Sequence, residues 1–468
     1  MPTANATKSR DLTQGPIFKT LAIFALPTLL SNILQSLNAS INTVWVGKFL
    51  GETALAATAN ASIIMFLVFS AVFGFGMAAT VMVGQYFGRH DIDAARRIFG
   101  SAIGFCLILS ILVGVLGWTF SDWILTHLNT PQDAFTQAHA YLRVIFIALP
   151  STMMSVIVMM GMRGSGDSMT PMWFMGLNVV LDIILNPLLI LGVGPFPQLG
   201  IVGSAVATII AGYGSLIAMI VTMYWSKLPL RLVGRELNYL IPRINLLKII
   251  IGKGVPMGLQ MVVMATAALV MISLVNREGL MTTAAYSAMQ QLWTYVQMPS
   301  MAVGAAVSAM VAQNIGAGKW ERVNKVNTAG LLSTLLLTGS IIAILLIFDR
   351  PVLGLFLGKE SGAMAIADHM QYRATWSYML FGMAMVIFAT MRANGVVIIP
   401  LLIIFVSLYP VRLGFYYLTY NILGADAIWI SFPVGAFTCL ILAFIYYKTG
   451  LWRKNSMTQP SEKTQKNA

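Results

Sequence analysis

The sequence predicts an all-α polytopic membrane protein, with twelve transmembrane helices in two six-helix lobes related by a parallel pseudo-two-fold repeat. Three observations carry this reading. Hydrophobic residues make up 58% of the 468 and charged residues 10%, with a mean hydropathy of +0.80; soluble domains are about 25% charged. Twelve runs are long and apolar enough, at about 20 residues each, to cross roughly 30 Å of hydrocarbon. Finally, segments of the first half recur in the second at a nearly constant offset.

Taken in order, the expected spans are 17–44, 54–86, 98–120, 141–162, 172–192, 201–225, 254–276, 282–314, 327–348, 374–391, 396–420 and 427–447. Several exceed the minimum length, which implies tilt or extension beyond the bilayer. The opening MPTANATKSRDLTQGP is polar and lacks a short apolar core followed by a small-residue cleavage site, so the first span is expected to act as the insertion signal. In the first span Pro27 removes a backbone hydrogen bond and is a candidate hinge near Asn32 and Gln35. Gln290, Gln291, Tyr286 and Gln297 of the eighth span read as polar contacts between helices, with a place facing the cavity as the alternative.

Charge orients the chain. With both termini in the cytoplasm, most of the 29 lysines and arginines fall inside, from Lys8 and Arg10 to Lys463 and Lys466. Only Lys48, Arg277, Arg350 and Lys359 fall outside, while Arg143, Arg373 and Arg412 sit at or within spans. This is the positive-inside pattern. The net charge of +13 is the same bias summed, and without a clustered basic patch it excludes a nucleic-acid partner. Cys106 and Cys439 both lie in apolar runs, so neither a disulfide framework nor metal-ligand spacing is available. No nucleotide-binding loop or nucleophile motif is present either, which argues against an ATP-driven pump or a membrane enzyme.

The expected organisation is an N-terminal lobe with a cation site (1–225), a cytoplasmic interlobe loop (226–253), a C-terminal lobe (254–447) and a cytoplasmic tail (448–468). GMAATVMVGQYFG (76–88) is echoed by GAAVSAMVAQNIG (304–316) at an offset of 228, and MRGSGDSMTP (162–171) by MRANGVVIIP (391–400) at 229. Pro27 pairs with Pro256, His139 with His369 and Arg143 with Arg373. Six spans per half make both halves enter from the same side, so the repeat is parallel, with substrate expected near the midplane.

The candidate site lies in LNVVLDIILNPLLILG (177–192). A carboxylate at mid-membrane costs roughly 2.5–3.5 kcal/mol on insertion scales, which makes Asp182 a functional residue by default. Asn178 and Asn186 lie at i−4 and i+4, on the same helix face. A purely structural polar cluster is the competing reading.

These motifs resemble those of the multidrug and toxic compound extrusion (MATE) family. The likeness covers essentially the whole chain and rests on GMAATVMVGQYFGRHDIDAARR (76–97) with its echo, MRGSGDSMTP, LDIILNPLLILG (181–192) and LGVGPFPQLGIVGSAVAT (191–208). It implies the MATE fold, two six-helix lobes, in a bacterial inner membrane protein exporting small-molecule drugs or organic cations in exchange for protons, or alternatively sodium. The protein is expected to need no cofactor and to act in the lipid bilayer as a monomer. The resemblance makes Asp182 the coupling carboxylate, with Asn178 as partner and Thr208 contributing a hydroxyl. Asn186, Asn32, Gln35 and Asn42 are then the candidate cavity residues. Family members often carry an aspartate on the first helix where this chain has Asn42, a departure that leaves Asp182 nearly alone and leads us to expect Asn42→Ala to keep most coupled transport.

Some family members also place acids inside the second lobe. Here Glu278, Glu321, Asp349, Glu360, Asp368 and Asp426 all fall in loops or at span edges. The repeat position of Asp182 falls near Val411 and Arg412, a base in place of an acid. Arg412, beside Tyr409, Pro410 and Tyr416, reads as a structural group that caps helix carbonyls or contacts the other lobe. A related flippase of lipid-linked precursors would need several cavity cations, and only Arg412 and Arg143 approach that. A non-transporting receptor or scaffold is the reading from another class.

Overall fold

The computed structural model describes residues 10–128, 130, 132–354, 357, 362–454 and 457. Lys8, Lys359, Glu360, Lys463 and Lys466 lie outside the described residues. Among the described residues the regular structure is helical. The helices are α1 (Ile17–Leu50), α2 (Glu52–Gly88), α3 (Ile92–Thr119), α4 (Ser121–His127), α5 (Gln132–Gly164), α6 (Met169–Leu191), α7 (Ile201–Trp225) and α8 (Ile244–Asn276). They continue as α9 (Leu280–Gly316), α10 (Trp320–Ile347), α11 (Asp349–Leu353), α12 (Ala363–Ala374), α13 (Ser377–Arg392), α14 (Ile398–Val406), α15 (Arg412–Leu423) and α16 (Asp426–Thr449). A π-helical turn, Ser407–Val411, joins α14 to α15. Counting that pair as one, 11 described helices are long and apolar enough to span, and α12 with α13, bent by 43°, raises the number to 12. Lipid offers no partners to backbone amides, so apolar runs of this length satisfy their hydrogen bonds as helices.

The repeat persists in the backbone. α2 and α9 each have 37 residues, and α3 and α10 each have 28. The turns match as well: after α2 the chain reverses through His90 at φ 60°, and after α9 through Gly318 at φ 71°. The loops after MRGSGD and MRANG match too, with Gly166 at φ 94° and Gly395 at φ 84°. Beyond Gly166, Asp167 starts α6 by accepting from the amides of Met169 at 3.1 Å and Thr170 at 3.0 Å.

Burial pushes the Asp167 carboxyl up, against the pull of its Thr170 and Met169 bonds. The folded state therefore holds this proton more tightly than the unfolded chain, and ionised Asp167 weakens the fold as pH rises through the shifted value. Asp167→Asn keeps an acceptor for the helix start and is expected to raise stability at neutral pH by up to about 1 kcal/mol. The gap to wild type should close as pH falls and the wild-type carboxyl protonates, which melting curves at acid and neutral pH would check.

The expected loop 226–253 is shorter than its composition suggested, because α8 begins at Ile244. Lys248 and Lys253 depress the local hydropathy, but a helix needs only one apolar face, and here Ile250 is fully buried. The remaining segment folds onto α3. Arg96 donates to the carbonyl of Pro229 and pairs with Glu236, both at 2.7 Å. Gly104 gives the backbone room, since a Cβ there would stand 1.7 Å from the Leu240 carbonyl oxygen.

The chain divides into two compact units, and they do not part at 226–253. One contains Arg10, Asp11 and Leu30–Gly258; the other contains Leu12–Leu29 and the residues from Leu259 on. α1 and α8 are thus each cut internally, two residues beyond the repeat partners Pro27 and Pro256. Side chains explain the exchange. In the second unit, Leu12 is fully buried, its amide donates to Gln313 Oε1 at 3.0 Å, and Asn314 donates back to its carbonyl at 3.2 Å. In the first unit, α8 lies on α2 through Gly74, Gly254 and Gly258, small residues that let backbones approach closely. Boundaries drawn along the sequence at 225 and 254 separate these contacts.

Candidate functional site

Among the described residues the first unit buries one carboxylate in its spanning helices. Asp182, at the middle of α6, is 1% exposed. α1 supplies Asn42, whose Nδ2 donates to Asp182 Oδ2 at 2.6 Å, and Asn38, one turn earlier, which also hydrogen-bonds to the carboxylate. Asn186 Nδ2 donates to Asp182 Oδ1 at 3.2 Å and to Asn42 Oδ1 at 3.0 Å, and the Thr208 hydroxyl on α7 reaches Asp182 Oδ1 at 3.4 Å. Tyr141 of α5 is close enough to interact electrostatically. Among the described residues no lysine, arginine or histidine forms an ion pair with Asp182. Neutral donors offset part of the cost of burying the charge, so the site can hold either a proton or the anion.

Beside this cluster is a cavity of about 190 Å³ lined by Gln35, Asn38, Asn178, Thr208 and Ser215, with Phe69, Phe174, Met159, Met175 and Met219 as apolar wall. Asn38 and Thr208 both line the cavity and bond to Asp182. The carboxylate is therefore one side chain behind the cavity wall.

The expected site residues are only partly brought together. Thr208 reaches Asp182, as the resemblance implied. Asn178 does not: it accepts from Ser215 at 3.4 Å and lines the cavity, because one turn back along α6 its nearest polar neighbour is α7 rather than the carboxylate. Asn42 and Asn186, expected in the cavity wall, are instead partners of Asp182, and Asp182 is not nearly alone. Gln35 does line the cavity; Asn32, half-buried on α1, is not among its lining residues. Pro27 lies within α1. Asn38, Ser215 and Tyr141 were missed. The i, i+4 spacing of Asn38 and Asn42 was a usable signal for the first, whereas nothing in the sequence marked the other two.

The Asn42 contact reverses the expectation for its removal. A hydrogen bond to a charged group contributes about 1.5–3 kcal/mol, so Asn42→Ala is expected to lower coupled flux roughly tenfold. Thr208→Val, which loses a much longer bond, should do less. Side-by-side flux measurements on the two variants would check the order.

In the second unit Asp426 pairs with His369 and Arg373, Glu278 accepts from the Tyr420 hydroxyl, and Glu321 pairs with Lys325 on the surface. Among the described residues Arg412 caps no helix carbonyl. Its guanidinium carbon lies 3.4 Å from the centre of the Phe432 ring, while Nε and Nη2 have no hydrogen-bond partner among the described residues.

A family model, MatE, matches residues 27–188 and 256–418, one block in each half of the repeat. The chain belongs to the MatE family. The probable multidrug resistance protein YoeA of Bacillus subtilis (strain 168) is 32% identical over 445 residues, covering 95% of this chain and 96% of its own. YpnP of the same organism, also a probable multidrug resistance protein, is 29% identical, with coverage of 95% and 98%. A crystal structure of MATE in complex with MaL6 superposes with a TM-score of 0.87 at 20% identity, over 96% of this chain and 100% of that one. The fold is therefore the MATE transporter fold, and this MatE protein is a multi-pass membrane transporter rather than an enzyme.

Proposed function

We propose that the protein exports small organic compounds, cationic or amphipathic, in exchange for protons by alternating access. Asp182 is the residue that takes up and releases the proton. The observation that carries this reading is the buried carboxylate held, among the described residues, by neutral groups, two of which also line the cavity. Ionised, it favours a cationic compound in the cavity; protonated, it favours release. The names of YoeA and YpnP support the substrate class. In this reading the bacterial inner membrane holds the protein as a monomer with both termini cytoplasmic, and Pro27 serves as the hinge of α1.

Sodium is the second reading, favoured by one observation. Asn38 Oδ1 and Asn186 Oδ1 are buried acceptors without a donor among the described residues, and oxygens of this kind beside one carboxylate are a hard-cation donor set. Proteoliposomes loaded with a cationic dye, with the pH and sodium gradients imposed separately, decide between the two. Efflux driven by the pH gradient in sodium-free buffer is expected; efflux that follows sodium at uniform pH would overturn the proton assignment.

A further inference from the structure

The segment that joins α7 to α8 is a fitted piece of the first unit, to which all of it belongs. Leu228, Leu230 and Leu232 are buried. Polar contacts fix the segment on its neighbours: the Tyr224 hydroxyl of α7 donates to the Leu232 carbonyl at 2.7 Å, the Tyr239 hydroxyl donates to Asp93 Oδ1 of α3 at 2.8 Å, and Arg96 of α3 holds Pro229 and Glu236. Gly100 of α3 gives the backbone room here, since a Cβ there would stand 2.8 Å from the Tyr239 carbonyl oxygen. So held, the segment presents a fixed set of side chains outward.

That set interleaves apolar and basic groups. Val233, Leu237, Leu240, Ile241 and Ile244 are exposed, the last two by 68% and 70%. Lys227, Arg231, Arg235, Arg243 and Lys248 stand among them, and among the described residues none of the five is in an ion pair; Arg243 lies 5.7 Å from the Tyr239 ring. Glu236 is the one acid between positions 226 and 248, and both its oxygens are taken, Oε1 by Arg96 at 2.7 Å and Oε2 by the Val233 amide at 3.0 Å. Water is a poor neighbour for the apolar groups, and hydrocarbon is a poor one for the cations. The headgroup layer of an anionic membrane suits both, since apolar side chains reach the acyl boundary there while phosphates take up the cations. The segment lies at that level. α7 ends just before it at Trp225, an exposed residue of a type enriched at membrane interfaces, and α3, at 28 residues, is longer than the roughly 20 that hydrocarbon requires.

We infer that residues 225–248 seat in the headgroup layer and bind anionic phospholipid, with Arg231, Arg235 and Arg243 holding the phosphates and Ile241 and Ile244 anchoring the segment. A guanidinium fork matches phosphate oxygens better than an ammonium does. The inference goes beyond the transport reading, because it requires neither proton exchange at Asp182 nor a particular orientation of the chain. An acidic soluble protein would match the charges but not the exposed isoleucines and leucines between two spanning helices.

The test puts a bimane fluorophore at Asn238→Cys, an exposed position of the segment, in the purified full-length protein; Cys106 and Cys439 are buried and do not compete for the label. Phosphatidylcholine nanodiscs then receive increasing fractions of phosphatidylglycerol or phosphatidylcholine that carries a quenching nitroxide near the top of one acyl chain. Half-quenching is expected at a phosphatidylglycerol fraction at least about fivefold below that for phosphatidylcholine, the scale of one basic residue at an anionic surface. Arg231→Gln, Arg235→Gln and Arg243→Gln together should bring the two fractions level, and high salt should narrow the gap in the labelled parent, because exposed charges are screened. Ile241→Gln with Ile244→Gln should weaken quenching by both lipids alike. Equal fractions in the labelled parent would overturn the inference without a further variant, so it remains testable if the arginine variant does not fold. An unchanged preference in the folded arginine variant would overturn it too. So would the absence of quenching by either lipid, the result that a soluble acidic partner would give. No gradient or substrate enters the measurement, so a failure of proton coupling at Asp182 would appear in flux and leave the quenching unchanged.

Discussion

Asp182→Asn is expected to reduce proton-driven efflux to the level of protein-free liposomes while leaving the protein folded and inserted. Asparagine keeps the shape and one acceptor, so Thr208 retains its partner. It cannot exchange a proton. Removing a charge from mid-membrane should even ease insertion. Energetics sharpen the test. One proton moving inward down about 100 mV releases roughly 2.3 kcal/mol, enough for a gradient of about fiftyfold in a neutral compound. A monovalent cation leaving in exchange for one proton makes the cycle electroneutral. With a single titrating carboxylate, export of such a cation should follow the pH gradient and ignore the membrane potential, whereas a neutral compound should respond to both. Flux with the two gradients set independently, wild type beside Asp182→Asn, measures this. Undiminished coupled flux in the variant would remove Asp182 as the proton site.

Gly74→Leu should be the more damaging change to the fold. A Cβ at Gly74 would stand 2.1 Å from the Gly254 carbonyl oxygen and 2.6 Å from the Gly258 amide nitrogen, both backbone atoms, so α2 and α8 would have to separate along their whole crossing. Overpacking of this kind costs about 1–3 kcal/mol, and more where backbone rather than side chain must move. The expected result is a large loss of monodisperse protein on size exclusion and a Tm lowered by several degrees. Gly304→Ala is the control. It lies in the echo of the 76–88 segment, but nothing stands within 4 Å of its missing Cβ, and alanine favours the helix by up to about 1 kcal/mol. A Gly74→Leu protein as stable as Gly304→Ala would show that the two helices do not meet as described.

These two glycines mark where the sequence stops being informative. Each sits in a small-residue segment of the same repeat, and the repeat is legible because both halves keep the same helix lengths and turns: α2 with α9, α3 with α10, His90 with Gly318. Apolar length alone located the spans, since a chain in lipid has few ways to satisfy its backbone. Asp182 was legible for the complementary reason, because a carboxylate in such a run is too costly to be accidental. Helical period then puts Asn178, Asp182 and Asn186 on one face, but period describes a single helix. Which neighbour covers that face, and at what rotation, depends on packing between residues far apart in the chain. Tertiary structure therefore decided that Asn38 and Asn42 of α1 meet Asp182 while Asn178 turns to Ser215. It also decided that α1 and α8 are each divided between the two units just past Pro27 and Pro256. The same holds for Arg412: the sequence places a base in the apolar run, but only the packing of Phe432, Tyr286, Tyr378 and Trp293 around it leaves two of its donors without an acceptor among the described residues.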